Sequence, residues 1–371
     1  MMPDASAFQS TNPASSSDVF EGTPYRTVTR LAAGGMGEVF LVTHAQLGRT
    51  LAAKVLHARL AADPRLIERA RIEAQSLARL RHANIVAVSG FGYTKDNRPY
   101  IIMEHLRGRT LGEEVMAIGH MPVLEAVRFT SQLLSALAAA HELGVVHRDI
   151  KPSNIFLCDA VDGERTLKVL DFGVVRVLPD ASEQAPEPLA VPTDSGVLMG
   201  TPRYLSPEGA LGQRVDGRAD LYAAALMLYY MLTGRGPFDE ISRDTAVLVA
   251  HAYQNPPAPS LFAKQAIRPE LDVILLKALR KDPVDRFQTA VEFKQALDRF
   301  AAMLLCPPAL QETALIGDLA KPGELSQPGP PQSSAPSAAK KPTALLSRAI
   351  ALFILFGLLM AAIIAWTERS P

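Results

Sequence analysis

His147-Arg148-Asp149-Ile150-Lys151-Pro152-Ser153-Asn154 sets a carboxylate, a lysine and an amide close together, and Asp171-Phe172-Gly173 begins 17 residues after the asparagine. Side chains of these types at this spacing suit phosphoryl transfer. That reaction needs a carboxylate to orient an attacking hydroxyl and further oxygen ligands to hold Mg²⁺ against the phosphates of ATP. Asp149 can supply the first, Asn154 and Asp171 the second. Asp-Phe-Gly alone turns up by chance, but chance does not account for both segments in this order.

Such a site also needs a loop over the phosphates and a cation upstream. Leu31-Ala32-Ala33-Gly34-Gly35-Met36-Gly37-Glu38-Val39 reads as a glycine-rich loop between two strands. At Gly34, Gly35 and Gly37 the backbone amides can approach phosphate oxygens with no Cβ in the way. Lys54 closes the apolar run Leu51-Ala52-Ala53, where an unpaired ammonium is costly. Glu73 is the available partner, on a stretch with apolar residues at helical spacing over 67–80.

The surrounding pattern divides in two. Residues 25–56 and 85–104 read as strands flanking that one helix; beyond Met103-Glu104-His105-Leu106 the spacing predicts helices over 124–143, 219–233, 243–253, 271–279 and 288–301. A small β-rich part followed by a large helical part is an α+β arrangement of two lobes.

With these residues in place, the chain resembles the eukaryotic-like (Hanks-type) serine/threonine protein kinases of bacteria over roughly residues 25–302. The resemblance implies the bilobal protein-kinase fold, with an N-lobe over 25–104 and a C-lobe over 105–302. It implies transfer of the γ-phosphate of ATP to Ser and Thr hydroxyls of proteins, the chain itself included, in signal transduction. Lys54, paired to Glu73, would hold the α- and β-phosphates; Asp149 would be the catalytic base, and Lys151 would neutralise the transferred phosphoryl group. Asn154 and Asp171 would bind Mg²⁺, with Mn²⁺ able to substitute. Met103 would be the gatekeeper, backbone groups of Glu104 and Leu106 would bond adenine, and Leu31, Val39, Ala52 and Phe156 would sandwich the ring.

Further along, Gly200-Thr201-Pro202-Arg203-Tyr204-Leu205-Ser206-Pro207-Glu208 resembles the close of an activation segment. By the same resemblance Glu208 would pair with Arg286 and hold the platform where substrate docks, and Thr201 with Lys151 would favour Ser/Thr over Tyr. Arg148 and Arg176 repel unless an anion joins them, and a phosphate on Thr193 or Ser195 is a suitable one. Two positions depart from the family. Ala32 stands at the first glycine of the loop, a modest cost to nucleotide binding, and Ala223-Ala224-Ala225 replaces a more usual Ser-Leu-Gly, which suits tight helix packing.

The 38 basic and 38 acidic side chains cancel, so no bulk field favours nucleic acid. Cys158 and Cys306 are too far apart to suggest a metal site. Residues 1–24, rich in Ser, Thr, Ala and Pro, read as a disordered arm, and 303–343 as a Pro/Ala/Ser-rich linker. Residues 349–366 run without a charge; with 344–347 they are long enough to cross a ~30 Å hydrocarbon layer as a transmembrane helix over 344–366. Lys340, Lys341 and Arg348 precede that span and Arg369 follows it, so the kinase domain is expected on the cytoplasmic side of a bacterial plasma membrane. The 367–371 tail is too short for a sensor, so input would come from partner proteins, lipid or association in the membrane plane, a homodimer phosphorylating in trans included. A pseudokinase scaffold would lack one of the charge-handling residues, a small-molecule kinase of the aminoglycoside type would lack the Ser-Pro-Glu platform, and a membrane adaptor would need neither.

Overall fold

In a computed structural model of the chain, the structure describes residues 18–35, 37–58, 71, 80–159, 163–171 and 202–305. Residues 303–305 of the expected linker belong to a helix; the rest of it, the transmembrane span and the tail, together with Glu73, Arg176, Thr193, Ser195 and Thr201, lie outside the described residues.

Five strands form an antiparallel sheet in the order β1 (Tyr25–Ala33), β2 (Gly37–His44), β3 (Thr50–Leu56), β5 (Pro99–Glu104) and β4 (Val88–Tyr93). One face buries Phe40, Val42, Ala53, Val55, Tyr100 and Ile102 as a separate small core. Residues 18–24, expected within a disordered arm, instead fold onto this face. Phe20 is fully buried edge-on to the rings of Phe40 and Tyr100. Asp18 fastens the segment by accepting from the Thr27 hydroxyl at 2.5 Å and the Thr27 amide at 3.2 Å. A single well-placed aromatic ring outweighs the polar composition around it.

After a connection over Glu104–Arg107 comes a three-stranded sheet of β6 (Gly108–Thr110), β7 (Ile155–Cys158) and β8 (Thr166–Val169), with helix α1 (Leu111–Ile118) leading off it. These strands are too short to show a period in the sequence. Helix α1 starts at a capping box, the Thr110 hydroxyl accepting from the Glu113 amide while the Glu113 carboxylate accepts from Thr110.

Helices then carry the larger core. α2 (Val123–Glu142) buries Ala126, Val127, Phe129, Thr130, Leu133, Leu134, Leu137 and Ala140, a stripe at three- and four-residue spacing, against α4 (Gly217–Thr233) and α7 (Ala290–Leu305). The short α3 (Pro207–Ala210) precedes α4, and α5 (Asp244–Tyr253) and α6 (Pro269–Ala278) complete the described helices. α4 is apolar nearly all round and buried nearly all round, with Ala223, Ala224 and Ala225 among its covered residues. It ends at Gly234 in the left-handed region, where a Cβ would sit 2.1 Å from the Gly119 carbonyl oxygen. α2 has the length and mean hydropathy (1.2) of a membrane span, but half of it is buried by its neighbours.

Candidate active site

The first parts of the site sit on the large sheet. β3 places Lys54 between Val39 of β2 and Ile101 of β5, nearly buried at 8% exposure. Its ammonium meets Asp171 Oδ2 at 2.6 Å. Burial alone would raise the Asp171 carboxyl; the charge and hydrogen bond of Lys54 outweigh that and hold it below its ordinary value. Asp171 takes a left-handed φ of 40°, unusual for a residue with a Cβ and a form of strain that concentrates at functional sites.

The turn between β1 and β2 closes with Gly34 N–H donating to the Gly37 carbonyl at 2.9 Å, and the Gly34 carbonyl meets His57 Nε2 at 2.8 Å. Gly37, expected as a phosphate-approach position, has a second reason to be glycine. A Cβ there would lie 2.1 Å from the Val55 carbonyl oxygen. Gly35 faces open space at the corresponding position, and a Cβ on Gly34 would make only an ordinary contact, 4.0 Å from the Gly37 carbonyl oxygen. Around the expected adenine pocket, Ala52 is buried and stands opposite Met103, while Val39, Leu106 and Phe156 are half-buried and Leu31 is exposed. The Glu104 side chain turns away from that pocket, accepting from Ala87 N–H at 2.8 Å and pairing with Lys168 at 2.7 Å.

The second part is the loop between α2 and β7. Lys151 Nζ lies 2.9 Å from Asp149 Oδ2, and Asn154 Nδ2 donates to the same oxygen at 3.1 Å and to the Asp149 carbonyl at 2.8 Å. Asn154, in a 3-10 turn over Pro152–Asn154, accepts at its own carbonyl from Leu170 N–H at 2.8 Å. The two stretches that the sequence separates by 17 residues are thereby tied side by side. With its amide nitrogen engaged by Asp149, Asn154 has Oδ1 to offer a cation, and Asp171 offers a carboxylate. Two hard oxygen donors suit Mg²⁺.

What fixes this loop is one buried carboxylate. Asp220, on α4 and 1% exposed, accepts from the backbone N–H groups of His147 and Arg148 at 2.8 Å each and contacts His141 Nε2 at 2.8 Å. These bonds hold Arg148 at its φ of 61°. His147 carries the clamp onward. Its Nε2 lies 3.0 Å from the Leu170 carbonyl, which can only accept, so the proton is on Nε2 and Nδ1 receives the Asp149 N–H at 3.2 Å. Complete burial lowers the His147 pKa despite the carboxylates nearby, so the ring works as a neutral strut. The signal for Asp220 was there in principle: a carboxylate inside an otherwise apolar helix has to be paid for by partners.

Glu208 and Arg286 meet as expected, in a buried contact at 2.6 and 2.9 Å. Glu73, Thr193 and Ser195 have no described position, so the structure bears neither on the Lys54 pairing expected for Glu73 nor on the two phosphosites.

The family model described as the protein kinase domain matches residues 25–298. The serine/threonine-protein kinase Pkn1 of Myxococcus xanthus is 42% identical over 276 residues, covering 74% of this chain and 38% of that protein. PknB of Mycobacterium leprae, another serine/threonine-protein kinase, is 39% identical over 273 residues, 72% of this chain and 42% of that one. The chain thus spans about two fifths of the length of these relatives. The crystal structure of the Mycobacterium tuberculosis PknI kinase domain superposes with a TM-score of 0.58 at 28% identity, covering 77% of this chain and 99% of that one.

Proposed function

We propose, from the premise that this chain belongs to the protein kinase domain family, that it is a serine/threonine protein kinase transferring the γ-phosphate of ATP to protein hydroxyls. The observation that carries this reading is the Asp149 carboxylate, held by Lys151 and Asn154 beside the Lys54–Asp171 pair. A scaffold without activity has no use for a carboxylate fixed in this way among cations and amides.

In the mechanism that follows, Asp149 accepts a hydrogen bond from the substrate Ser or Thr hydroxyl, aligns its oxygen, and receives its proton as the new O–P bond forms and the bond to ADP breaks. Lys151, already within reach of that carboxylate, offsets charge on the phosphoryl group in flight. Lys54 orients the non-transferred phosphates, with Glu73 as its expected partner, and Gly34, Gly35 and Gly37 turn backbone toward them. Asn154 and Asp171 would hold Mg²⁺, which supplies charge neutralisation at the β- and γ-phosphates. Leu31, Val39, Ala52 and Phe156, with backbone of Glu104 and Leu106, would receive the adenine.

Two further parts of the reading rest on sequence. A phosphate on Thr193 or Ser195 would be met by Arg148 and Arg176. Residues 344–366 would anchor the chain in the membrane with the kinase domain cytoplasmic. Incubating the full-length chain with labelled ATP, Mg²⁺ and a generic protein substrate, then locating label by mass spectrometry, tests transfer and phosphosites together. Label on Ser and Thr is expected, and none on any protein would overturn the reading. Carbonate extraction tests the anchor, with release of the chain as the contrary result.

A further inference from the structure

The 3-10 turn Pro202–Tyr204, which packs on α5, is fastened from both sides at Arg203. Its guanidinium pairs with Asp239 at 2.8 Å and reaches the Ile241 carbonyl at 3.4 Å, both near the surface. Its carbonyl faces inward to His251 Nε2 at 3.0 Å. His251, on α5 and 1% exposed, has its other nitrogen 3.0 Å from the hydroxyl of Tyr222 on α4. The direction of this chain is fixed by chemistry. A carbonyl oxygen cannot donate, so Nε2 bears the proton; Nδ1 must then accept, and the Tyr222 hydroxyl must donate. Burial, with Lys281 nearby, lowers the His251 pKa to about 4, so the ring keeps that neutral tautomer. Lys281 secures the far side by donating to the His251 carbonyl at 2.8 Å. The Tyr222 ring in turn lies 5.0 Å from the Arg286 guanidinium, which grips Glu208. Arg203 and Glu208, the two ends of one segment, are therefore tied to the same tyrosine. Between them Tyr204 and Leu205 are half-buried, Tyr204 packing against the larger core.

We infer that His251, oriented by Tyr222, is a positioning residue for the protein substrate: it sets the backbone at Arg203, and with it the shape of residues 203–205, before a peptide arrives. The inference rests on the kinase reading above, which gives this segment to the protein substrate. His251 and Tyr222 touch neither the nucleotide-binding residues nor the Asp149 group, so their loss bears on peptide docking and not on transfer.

Steady-state kinetics of the full-length chain with one Ser/Thr peptide, varied against ATP, test this. Tyr222→Phe keeps the ring and removes the hydroxyl, which donates to His251 and accepts from Lys281 Nζ at 3.5 Å; His251→Leu removes both ring bonds; His251→Gln can still donate and accept. Tyr222→Phe and His251→Leu are expected to raise the peptide KM roughly fivefold to tenfold, the worth of one such bond, with kcat and the KM for ATP within about twofold of the parent. His251→Gln is expected to recover most of that loss. A Tyr222→Phe enzyme with the parent's peptide KM, or one whose KM for ATP rises equally, overturns the inference. Absence of peptide phosphorylation by the parent removes the kinase reading and the inference with it, so the two failures are distinct.

Discussion

The Arg286 guanidinium closes on the Glu208 carboxylate at two points, Nη1 to Oε1 at 2.9 Å and Nη2 to Oε2 at 2.6 Å, with both side chains buried. Arg286 also donates to the carbonyls of Arg218, Arg280 and Lys281, so one side chain gathers α3, α4 and the stretch that follows α6. Arg286→Met would strand a buried carboxylate and is expected to cost about 3–5 kcal/mol in urea unfolding. Replacing both partners with apolar residues is expected to cost less than the two single changes added together, and strict additivity would contradict the pairing.

Asp149→Asn preserves shape and removes the charge proposed to receive the proton. Phosphotransfer to a protein substrate is expected to fall about 100- to 10,000-fold. The urea midpoint should stay near that of the parent. A folded variant with near-parental turnover would remove Asp149 from its role.

Phe20 makes a stability prediction that composition alone would not. Its ring is fully covered among Phe40 and Tyr100, so Phe20→Ala is expected to destabilise the sheet by about 3–5 kcal/mol. Hydrogen exchange at β1, β2 and β5 would report the loss there, ahead of the helical part. An unchanged exchange pattern would mean that the segment merely rests on the surface.

Glu114, on α1, is buried between two arginines, Arg165 at 2.6 Å and Arg109 at 3.3 Å. The Arg165 hydrogen bond outweighs the cost of burial and holds the carboxyl below its ordinary value of 4.5. A carboxyl with a depressed folded-state pKa adds stability above the unfolded value and loses it as pH falls through the folded one. The stability gap between the parent and Glu114→Gln is therefore expected to be full at neutral pH and to shrink as pH drops below 4.5. A gap independent of pH would show that packing, not charge, is what the substitution removes.

The contacts of Asp149 were legible because the fold keeps them local. Asp149, Lys151 and Asn154 span six positions, and their mutual contacts follow from one tight loop. Lys54 and Asp171 are far apart in sequence, yet each sits in its own recognisable motif. Asp220-Leu221-Tyr222 fits the family's pattern, but the bonds of Asp220 arise only when α4 meets residues 147 and 148, which no local spacing predicts. Phe20 was hidden by averaging, since one ring in a polar stretch hardly alters composition. β6 to β8 are shorter than a periodicity can reveal, whereas α1 carried a readable signal in Thr110 and Glu113, a capping box. Gly37 was read for the ligand, but its backbone neighbour Val55 already requires it.

Helix α2 has one more consequence, for the order in which the chain is made. Its apolar stripe is covered by α4 and α7, and α7 begins at Ala290, long after α2 has ended at Glu142. At ribosomal rates of about 5–20 residues per second the stripe waits roughly 7 to 30 seconds for its last cover. Through that interval a segment with the length and hydropathy of a bilayer span is exposed on the nascent chain. Slowing elongation between residues 143 and 289 is therefore expected to lower the yield of folded protein, because an exposed apolar stripe is open to wrong contacts for longer.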